Sequence, residues 1–189
     1  MPPGRKRRDE LAEGATDYVL EHGLIGLSLR PLATALGTSD RMLLYHFDGK
    51  DDLVATVLRV STDRSAAEVR AMPAAPDVRR AVLDLWATVT SPQVARCQRM
   101  YVEAAALGLF GREPYATVVR DSNRVWVEAV ADRLVAAGTP PDRAERAVAL
   151  LDAALTGFLL DLPLDAGDTV AAQAVRDLAD AVAVIAEGP

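Results

Sequence analysis

The sequence predicts an all-α fold, because residues that favour helices greatly outnumber residues that favour strands. Alanine, which loses no side-chain entropy in a helix, occurs 34 times among the 189 residues. Sheets rely on branched and aromatic side chains, and the chain has only nine aromatic residues and two isoleucines. Glycine and proline divide it into stretches of helical length, so about nine helices are expected.

Each expected helix is bounded by residues that start or stop helices. Gly23 and Gly37 end the first two helices, and Thr38 and Ser39 open the third. Prolines separate most of the later helices. We expect the nine helices at about residues 9–21, 28–37, 40–47, 50–72, 77–90, 93–109, 113–137, 141–161 and 169–186.

Composition excludes several classes of protein. Cys97 is the only cysteine, which rules out a disulfide framework and a multi-cysteine metal site. No apolar run approaches the roughly 18 residues of a membrane span, and the basic N-terminus is not followed by the apolar stretch of a signal peptide. We therefore expect a cytoplasmic protein with no cofactor and no membrane partner.

Charge is distributed unevenly along the chain. The net charge is -6, yet residues 1–50 carry seven basic and seven acidic side chains, so the deficit lies beyond them. Both lysines, Lys6 and Lys50, lie in this neutral part. An uninterrupted basic run precedes the first expected helix and consists of Arg5, Lys6, Arg7 and Arg8. Such a run either contacts DNA phosphates or is a disordered, solubilising terminus.

Residues 29–47 have the pattern of a helix-turn-helix, in which the second of two short helices is presented to DNA. Ala33 lies where the helices approach most closely, and Gly37 suits the turn between them. The expected shared core is Leu32, Leu36, Leu43 and Phe47. Helical spacing then places on the opposite face Asp40, Arg41, Leu44 and Tyr45. Two ordinary helices would also fit this spacing, but the nearby basic residues favour DNA binding.

The run TSDRMLLYHFDGKDDL, from Thr38 to Leu53, resembles the signature of the TetR family of bacterial transcriptional regulators. It follows the run LSLRPLATALG, which is typical of the family's second helix. The resemblance covers about residues 9–56 by motif and the remainder by length and helical layout. It implies a homodimer with an N-terminal DNA-binding domain, which we place at residues 1–53, and an effector-binding and dimerisation domain at residues 54–189.

The resemblance also implies roles for individual residues. Arg30 matches a helix-two position that reaches a base edge or a phosphate, and Asp40, Arg41 and Met42 match the base-reading turn of the recognition helix. Arg41 is the best candidate for specificity, because a guanidinium can bind guanine O6 and N7 together. The residues that match positions holding the DNA backbone are Tyr45, His46 and Lys50. The predicted DNA-binding set is completed by Thr38, Ser39, Leu44 and the basic run.

Two positions in this set stay open. The family usually has Tyr after the recognition-helix Leu, whereas this chain has Leu44 there and Tyr45 one residue later. Either Tyr45 takes over the phosphate contact, or Leu44 packs on a thymine methyl group. His46 either binds a phosphate or packs beneath the first helix.

Apolar residues repeat at spacings of three and four along the last two expected helices, which is the pattern of a heptad seam. Two such helices meeting their copies would form a four-helix bundle across a two-fold axis. The same stripes could instead be buried within their own subunit; the family resemblance favours the dimer. The predicted interface residues are Val148, Leu151, Leu155, Phe158, Val175, Leu178 and Val182.

Aromatic and polar residues are mixed in expected helices five to seven, as in an apolar cavity with a few polar groups for a ligand. The residues predicted to line such an effector pocket are Trp86, Cys97, Met100, Tyr101, Glu103, Leu107, Asn123 and Trp126. For any one of them, the alternative is an ordinary core or surface position.

Together these observations predict a DNA-binding transcriptional regulator, a repressor that a small apolar or amphipathic effector releases from a palindromic double-stranded operator. The competing functions are a helical partner-binding adaptor and an all-α enzyme. The sequence contains no nucleophile elbow, no HExxH pair and no Gly-rich phosphate loop, so we expect no catalytic activity.

Overall fold

The structure, a computed structural model, describes residues 3–161 and 168–188, and most of these residues are α-helical. This part of the chain contains nine helices and no strand, so the predicted fold class is confirmed. The helices are α1 (Pro3–His22), α2 (Leu29–Ala35), α3 (Asp40–His46), α4 (Gly49–Ala71), α5 (Val78–Val89), α6 (Pro92–Leu109), α7 (Tyr115–Ala136), α8 (Pro141–Asp161) and α9 (Asp168–Glu187). The largest difference from the prediction is at α1, which begins at Pro3 rather than near Asp9.

The turn between α2 and α3 has the geometry that its glycine predicts. Gly37 has a φ of +63°, in the left-handed region that a side chain disfavours. Its N–H donates to the carbonyl of Thr34 at 3.1 Å, and the N–H of Thr38 donates to the carbonyl of Ala33 at 2.9 Å. These two bonds satisfy the last carbonyls of α2 and set the direction in which the chain enters α3.

The chain divides into two compact units. The first unit comprises Met1–Arg64 with Arg96–Asn123, and the second comprises Ser65–Ala95 with Arg124–Pro189. Helices α4, α6 and α7 therefore each contribute residues to both units. The predicted functional boundary between residues 53 and 54 is a separate matter and stays a prediction.

The core of the first unit joins the helix-turn-helix to later parts of the chain. Leu32, Leu43 and Phe47 are buried there together with Leu11 and Leu53. The same cluster contains residues of α6 and α7, which are Met100, Ala104 and Val118. The helix-turn-helix core that the sequence predicts is thus present, with Leu36 half-buried at its margin.

The core of the second unit contains the stripes that the sequence assigns to a dimer. Of the seven predicted interface residues, five are buried within this core, Val175 is buried outside it, and Phe158 is half-buried against it. A side chain already covered by its own subunit has no surface left for a partner. The stripes of α8 and α9 therefore pack inside one chain, which corrects the interface predicted from Val148, Leu151, Leu155, Phe158, Val175, Leu178 and Val182.

We expect Leu155→Ala to lower the free energy of unfolding by about 2 to 5 kcal/mol, because truncating a buried leucine removes contacts and leaves a cavity. Val135→Ala, at a partly exposed position of the same unit, should change it by about 0.5 kcal/mol or less. Equilibrium denaturation followed by tryptophan emission measures both. If Leu155→Ala left the stability unchanged but weakened self-association, Leu155 would belong to an interface between chains.

Candidate DNA-binding surface and effector residues

The candidate DNA-binding surface is built on α3, which has only seven residues and is too short to be stable without its surroundings. Ser39 caps its N-terminus, and the Ser39 hydroxyl accepts the N–H of Met42 at 3.2 Å. The carboxylate of Asp40 accepts the N–H of Arg41 at 3.0 Å. On the inner side, Leu43 and Phe47 are buried in the core. These contacts hold α3 at its N-terminus and along its inner side.

The opposite face of α3 is exposed, as the sequence predicts. Exposure reaches 44% for Met42, 49% for Leu44 and 79% for Tyr45, and Asp40 and Arg41 are exposed beside them. A guanidinium, a carboxylate, aliphatic side chains and a phenol on one face can contact base edges, thymine methyls and phosphates. This face therefore has the chemistry that DNA recognition needs.

The remaining candidate DNA-binding residues of the helix-turn-helix differ in how exposed and how engaged their side chains are. Arg30 is exposed on α2, whereas Thr38 is half-buried in the turn. The hydroxyl of Ser39 is already engaged in capping α3. The structure therefore gives Ser39 a local structural role, and Arg30 lies free to extend the exposed surface of α3.

The basic run lies within α1, which corrects the expectation that it precedes the first helix. Arg7 forms an ion pair of 3.1 Å with Glu10, and Lys6 is exposed. Arg8 is directed at α3 and α4, where its side chain makes several contacts. The side chain of Arg5 lies outside the described residues. The run is therefore helical from Pro3 onward rather than a free arm.

Lys50 and His46 lie where the helix-turn-helix meets α4. The ammonium of Lys50 donates to the carbonyl of Leu27 in the loop before α2. An ammonium has three donors, so this bond is compatible with a phosphate contact as well. The ring of His46 is half-buried and lies edge-on to the ring of Tyr45, with 5.1 Å between centroids. Both side chains thus border the exposed face of α3.

The eight residues predicted to line an effector pocket do not belong to one unit. Trp86 and Trp126 are in the second unit and the other six in the first. Met100 and Cys97 are buried, and Leu107 is half-buried. The hydroxyl of Tyr101 donates to the Oδ1 atom of Asn123 at 2.7 Å. Neither unit by itself therefore contains the predicted set.

Glu103 has a role that the sequence does not reveal. Its Oε2 atom accepts the backbone N–H groups of Leu24 and Ile25, each at 2.7 Å. These two residues follow Gly23 in the loop between α1 and α2, and Gly23 has a φ of +87°. The carboxylate thus satisfies two loop donors that no helix pairs. Glu103 thus links α6 to the loop before the helix-turn-helix, while its assignment to an effector pocket stays a prediction.

The second unit holds a half-buried carboxylate that the sequence analysis missed. The Oδ1 atom of Asp152 on α8 accepts the indole N–H of Trp126 at 2.9 Å. Burial raises the pKa of Asp152 above its ordinary value, and the hydrogen bond from Trp126 offsets part of this rise. A sequence signal does exist, since Asp152 is the only charged residue between Arg146 and Asp161.

Trp86 belongs to a second aromatic contact of this unit. Its ring lies edge-on to Phe158 of α8, with 5.9 Å between centroids. Both side chains are half-buried and pack against the core of the unit. Two tryptophans predicted to line a pocket therefore both contact α8, Trp86 through Phe158 and Trp126 through Asp152.

Membrane-spanning helices and metal sites each have a characteristic geometry, and neither is found among the described residues. None of its helices is long and apolar enough to cross a bilayer. Among the same residues, no group of three or more His, Cys, Asp or Glu side chains is arranged to hold a metal ion.

Comparison with known proteins identifies the fold. No protein-family model and no curated protein matches the chain. A transcriptional regulator from Rhodococcus sp. Rha1 is similar in structure, with 24% identity, a TM-score of 0.74, and coverage of 93% of this chain and 95% of that one. A Rhodococcus protein assigned to the TetR family of transcriptional regulators has 22% identity and a TM-score of 0.65, with coverage of 94% and 98%.

The multidrug binding protein EbrR is a third similar structure. In its complex with imidazole it has 26% identity and a TM-score of 0.68, covering 94% of each chain. In its complex with ethidium it has 25% identity and a TM-score of 0.67, covering 94% of this chain and 98% of that one. The likeness extends over nearly the whole chain, so the resemblance predicted from residues 9–56 is confirmed at the level of the complete fold.

We expect Glu103→Ala to lower the free energy of unfolding by about 1 to 3 kcal/mol, because the partly buried N–H of Leu24 and the exposed N–H of Ile25 both lose their acceptor. The amide hydrogens of Leu24 and Ile25 should exchange with solvent faster than in the parent protein. Hydrogen exchange resolved by residue measures this, and Glu128→Ala, at an exposed position of α7, is the control. Unchanged exchange at both amides would contradict the link.

Proposed function

We propose that this chain, which has the fold of the TetR-family transcriptional regulators, is a DNA-binding repressor that a small molecule releases from a palindromic operator. The observation that carries the proposal is the exposed face of α3. Met42, Leu44 and Tyr45 are large side chains that a helix in an ordinary α-domain would cover, yet they are exposed beside Arg41. Their anchors Leu43 and Phe47 are buried behind them.

Each part of this face suits a different part of the major groove. Arg41 is placed to bind a guanine edge, and the aliphatic ends of Met42 and Leu44 suit thymine methyl groups. Tyr45 is the most exposed of the four and takes the phosphate contact that the family usually gives to the preceding residue. Arg30, Lys6 and Lys50 supply further phosphate contacts around the helix.

A palindromic operator requires a two-fold dimer, for which we propose the outward face of α8. Leu150 and Leu160 are exposed in the single chain, at 39% and 48%. Between them lie Ala153 and Gly157, also exposed, so the four residues follow the three- and four-residue spacing of a helix-packing seam. Small residues at such a seam let two helices approach closely. This face replaces the buried stripe that the sequence analysis assigns to the dimer.

We propose that the effector is an amphipathic organic cation. Asp152 is a half-buried carboxylate whose described partner is an indole N–H, and this bond also fixes the ring of Trp126. A carboxylate next to an aromatic ring is a favourable environment for a cation, because the ring face attracts positive charge. EbrR, which shares the fold, binds ethidium, itself an aromatic cation.

The DNA-binding proposal predicts that Arg41→Ala relaxes base preference and costs about 1 to 3 kcal/mol at the selected site, as for loss of one bidentate base contact. Affinity for unrelated duplexes should barely change. Selection of bound duplexes from a random pool, with the parent protein and with Arg41→Ala, measures the preference. Arg124→Ala, at an exposed position of α7 in the second unit, is the matched control.

Two results of this selection would contradict the proposal at different levels. If the parent protein enriched no sequence, the chain would not be a sequence-specific DNA-binding protein. If both proteins enriched the same motif with equal strength, Arg41 would not read a base.

The raised pKa of Asp152 predicts that Asp152→Asn raises the melting temperature at neutral pH. The folded protein holds the Asp152 proton more tightly than the unfolded chain, so its stability falls as the pH rises through the ordinary and then the raised pKa. The gain in Asp152→Asn should vanish below the ordinary pKa of an aspartate. Thermal melts across this pH range measure it, with Asp132→Asn on α7 as an exposed control.

The same variant tests the ligand class. Ethidium should bind the parent protein and quench tryptophan emission, and Asp152→Asn should bind it more weakly because the carboxylate charge is gone. Equal affinity of the parent protein and Asp152→Asn for ethidium would show that Asp152 does not hold the effector.

A further inference from the structure

Arg8 joins the end of the helix-turn-helix to the start of α4 through one guanidinium. Its Nε atom donates to the carbonyl of His46, the last residue of α3, at 3.0 Å. Its Nη2 atom donates to Asp52 Oδ2 at 3.0 Å and to Thr56 Oγ1 at 3.3 Å, both on α4. The guanidinium carbon also lies 4.9 Å from the centroid of the Phe47 ring. A residue of α1 thus contacts the end of α3, the residue after it and the start of α4.

One acceptor of Arg8, the carbonyl of His46, lies at the C-terminal end of α3. The last carbonyls of a helix have no partner within it and carry partial negative charge, so a cation there is favourable. Asp52 accepts the N–H of Asp48 at 3.0 Å with the same oxygen that binds Arg8. The connection from α3 to α4 is therefore tied to Arg8 both directly, at His46, and through Asp52.

This end of α3 has no cap of its own comparable to Ser39. The residue after the helix, Phe47, is in extended conformation, with φ -122° and ψ 137°. At seven residues, α3 makes too few internal hydrogen bonds to hold its own axis. Its direction therefore depends on the buried side chains and on what binds its last carbonyl.

We propose that Arg8 is a positioning residue for DNA recognition, which sets the orientation of α3 and does not contact phosphate. This rests on the proposed function, since it concerns how the base-reading side chains are presented. Base contacts need side chains placed within about 0.5 Å of their targets, so a small rotation of α3 is enough to lose them. Phosphate contacts, which carry no sequence information, are less sensitive to such a rotation.

Positioning and phosphate binding predict different salt dependences. Removing one phosphate contact reduces the slope of log affinity against log salt concentration by about 0.9 for duplex DNA. If Arg8 only orients α3, Arg8→Ala should lower affinity for the selected duplex by roughly tenfold or more, with an unchanged slope. Affinity for a scrambled duplex should stay the same. Lys6→Ala removes an exposed cation from the same helix and should flatten the slope for both duplexes.

Asp52→Asn separates the two roles without removing the arginine. It keeps the positive charge of Arg8 and weakens its tie to α4. Positioning predicts a loss of specific affinity that is smaller than in Arg8→Ala, because the bond from Arg8 to His46 remains. The double variant should lose no more than Arg8→Ala, because Asp52 acts on α3 through Arg8. A phosphate contact predicts that Asp52→Asn binds as well as or better than the parent protein, since a nearby negative charge is reduced.

Arg64→Ala is the matched control for loss of stability. Arg64 also joins α4 to α1, through Asp17 at 2.6 Å and through Glu13, and has no contact with α3. Arg64→Ala should lower the melting temperature of the protein, without a greater loss of affinity for the selected duplex than for the scrambled one. Arg8→Lys keeps the charge but not the fork of donors, so it should lose affinity for the selected duplex at an unchanged slope. This variant keeps the test available if Arg8→Ala does not fold.

The experiment is a fluorescence anisotropy titration of the 189-residue protein with both duplexes over a range of potassium chloride concentrations. A specific loss at constant slope in Arg8→Lys and Asp52→Asn supports positioning. The proposal is overturned if the slope of Arg8→Ala is reduced by about one, or if Arg8→Lys and Asp52→Asn bind the selected duplex as tightly as the parent protein. If the parent protein itself showed no preference for the selected duplex, the proposed function would fail, and this inference with it.

Discussion

The placement of α3 depends on the burial of Leu43 and Phe47, one helical turn apart. A seven-residue helix gains little from its own hydrogen bonds, whereas burying a leucine or phenylalanine contributes about 1.5 to 3 kcal/mol for each side chain. The rest of the motif makes this burial possible. Gly37 turns the chain so that α3 lies across α2, and the small side chain of Ala33 lets the two approach. With one face fixed inward, the opposite face must be exposed.

The same constraint explains why the first unit extends beyond the helix-turn-helix. Leu24 belongs to its core, and the loop that carries Leu24 and Ile25 leaves two N–H groups without helical partners. Glu103, distant in sequence, accepts both of them, and its neighbours Met100 and Ala104 bury into the same core. The structural unit that presents α3 therefore includes parts of α6 and α7. Residues of α6 and α7 therefore belong to the same core as the helix-turn-helix.

Local features were predictable from the sequence, because each depends on neighbouring residues alone. The left-handed turn at Gly37, the cap at Ser39 and the inward side chains Leu43 and Phe47 all follow from spacing and residue type. The α1 start was wrong because a basic run was interpreted as an arm, although arginine and lysine are good helix formers. Helical periodicity also indicated where apolar stripes lie on α8 and α9. Periodicity cannot say whether a stripe meets its own chain or a copy, and here it meets α5 and the facing helix.

Contacts between residues that are distant in sequence were not predictable, because the spacing of residue types along the chain does not indicate them. Glu103 lies among apolar residues, which suggested a pocket, but its partners are backbone N–H groups in a loop 79 and 78 positions away. Arg8 looked like part of a cationic run, and its partners at positions 46, 52 and 56 come close only once α1 packs on α4. A backbone donor or acceptor has no residue-type signature, so such a partner is invisible in the sequence.

These internal contacts also change the electrostatics of the proposed DNA complex. Two cations of the neutral N-terminal part, Arg8 and Lys50, are bound to groups of the protein itself, and Arg7 is paired with Glu10. Of the exposed cations described in the first 50 residues, Lys6, Arg30, Arg41 and Lys50 lie outside the Arg7–Glu10 pair, in a chain of net charge -6. Non-specific attraction to phosphate is then weak, because few counterions are released on binding. Affinity must come mainly from base contacts made by an accurately oriented α3, so the contacts that orient this helix matter as much as the side chains that touch DNA.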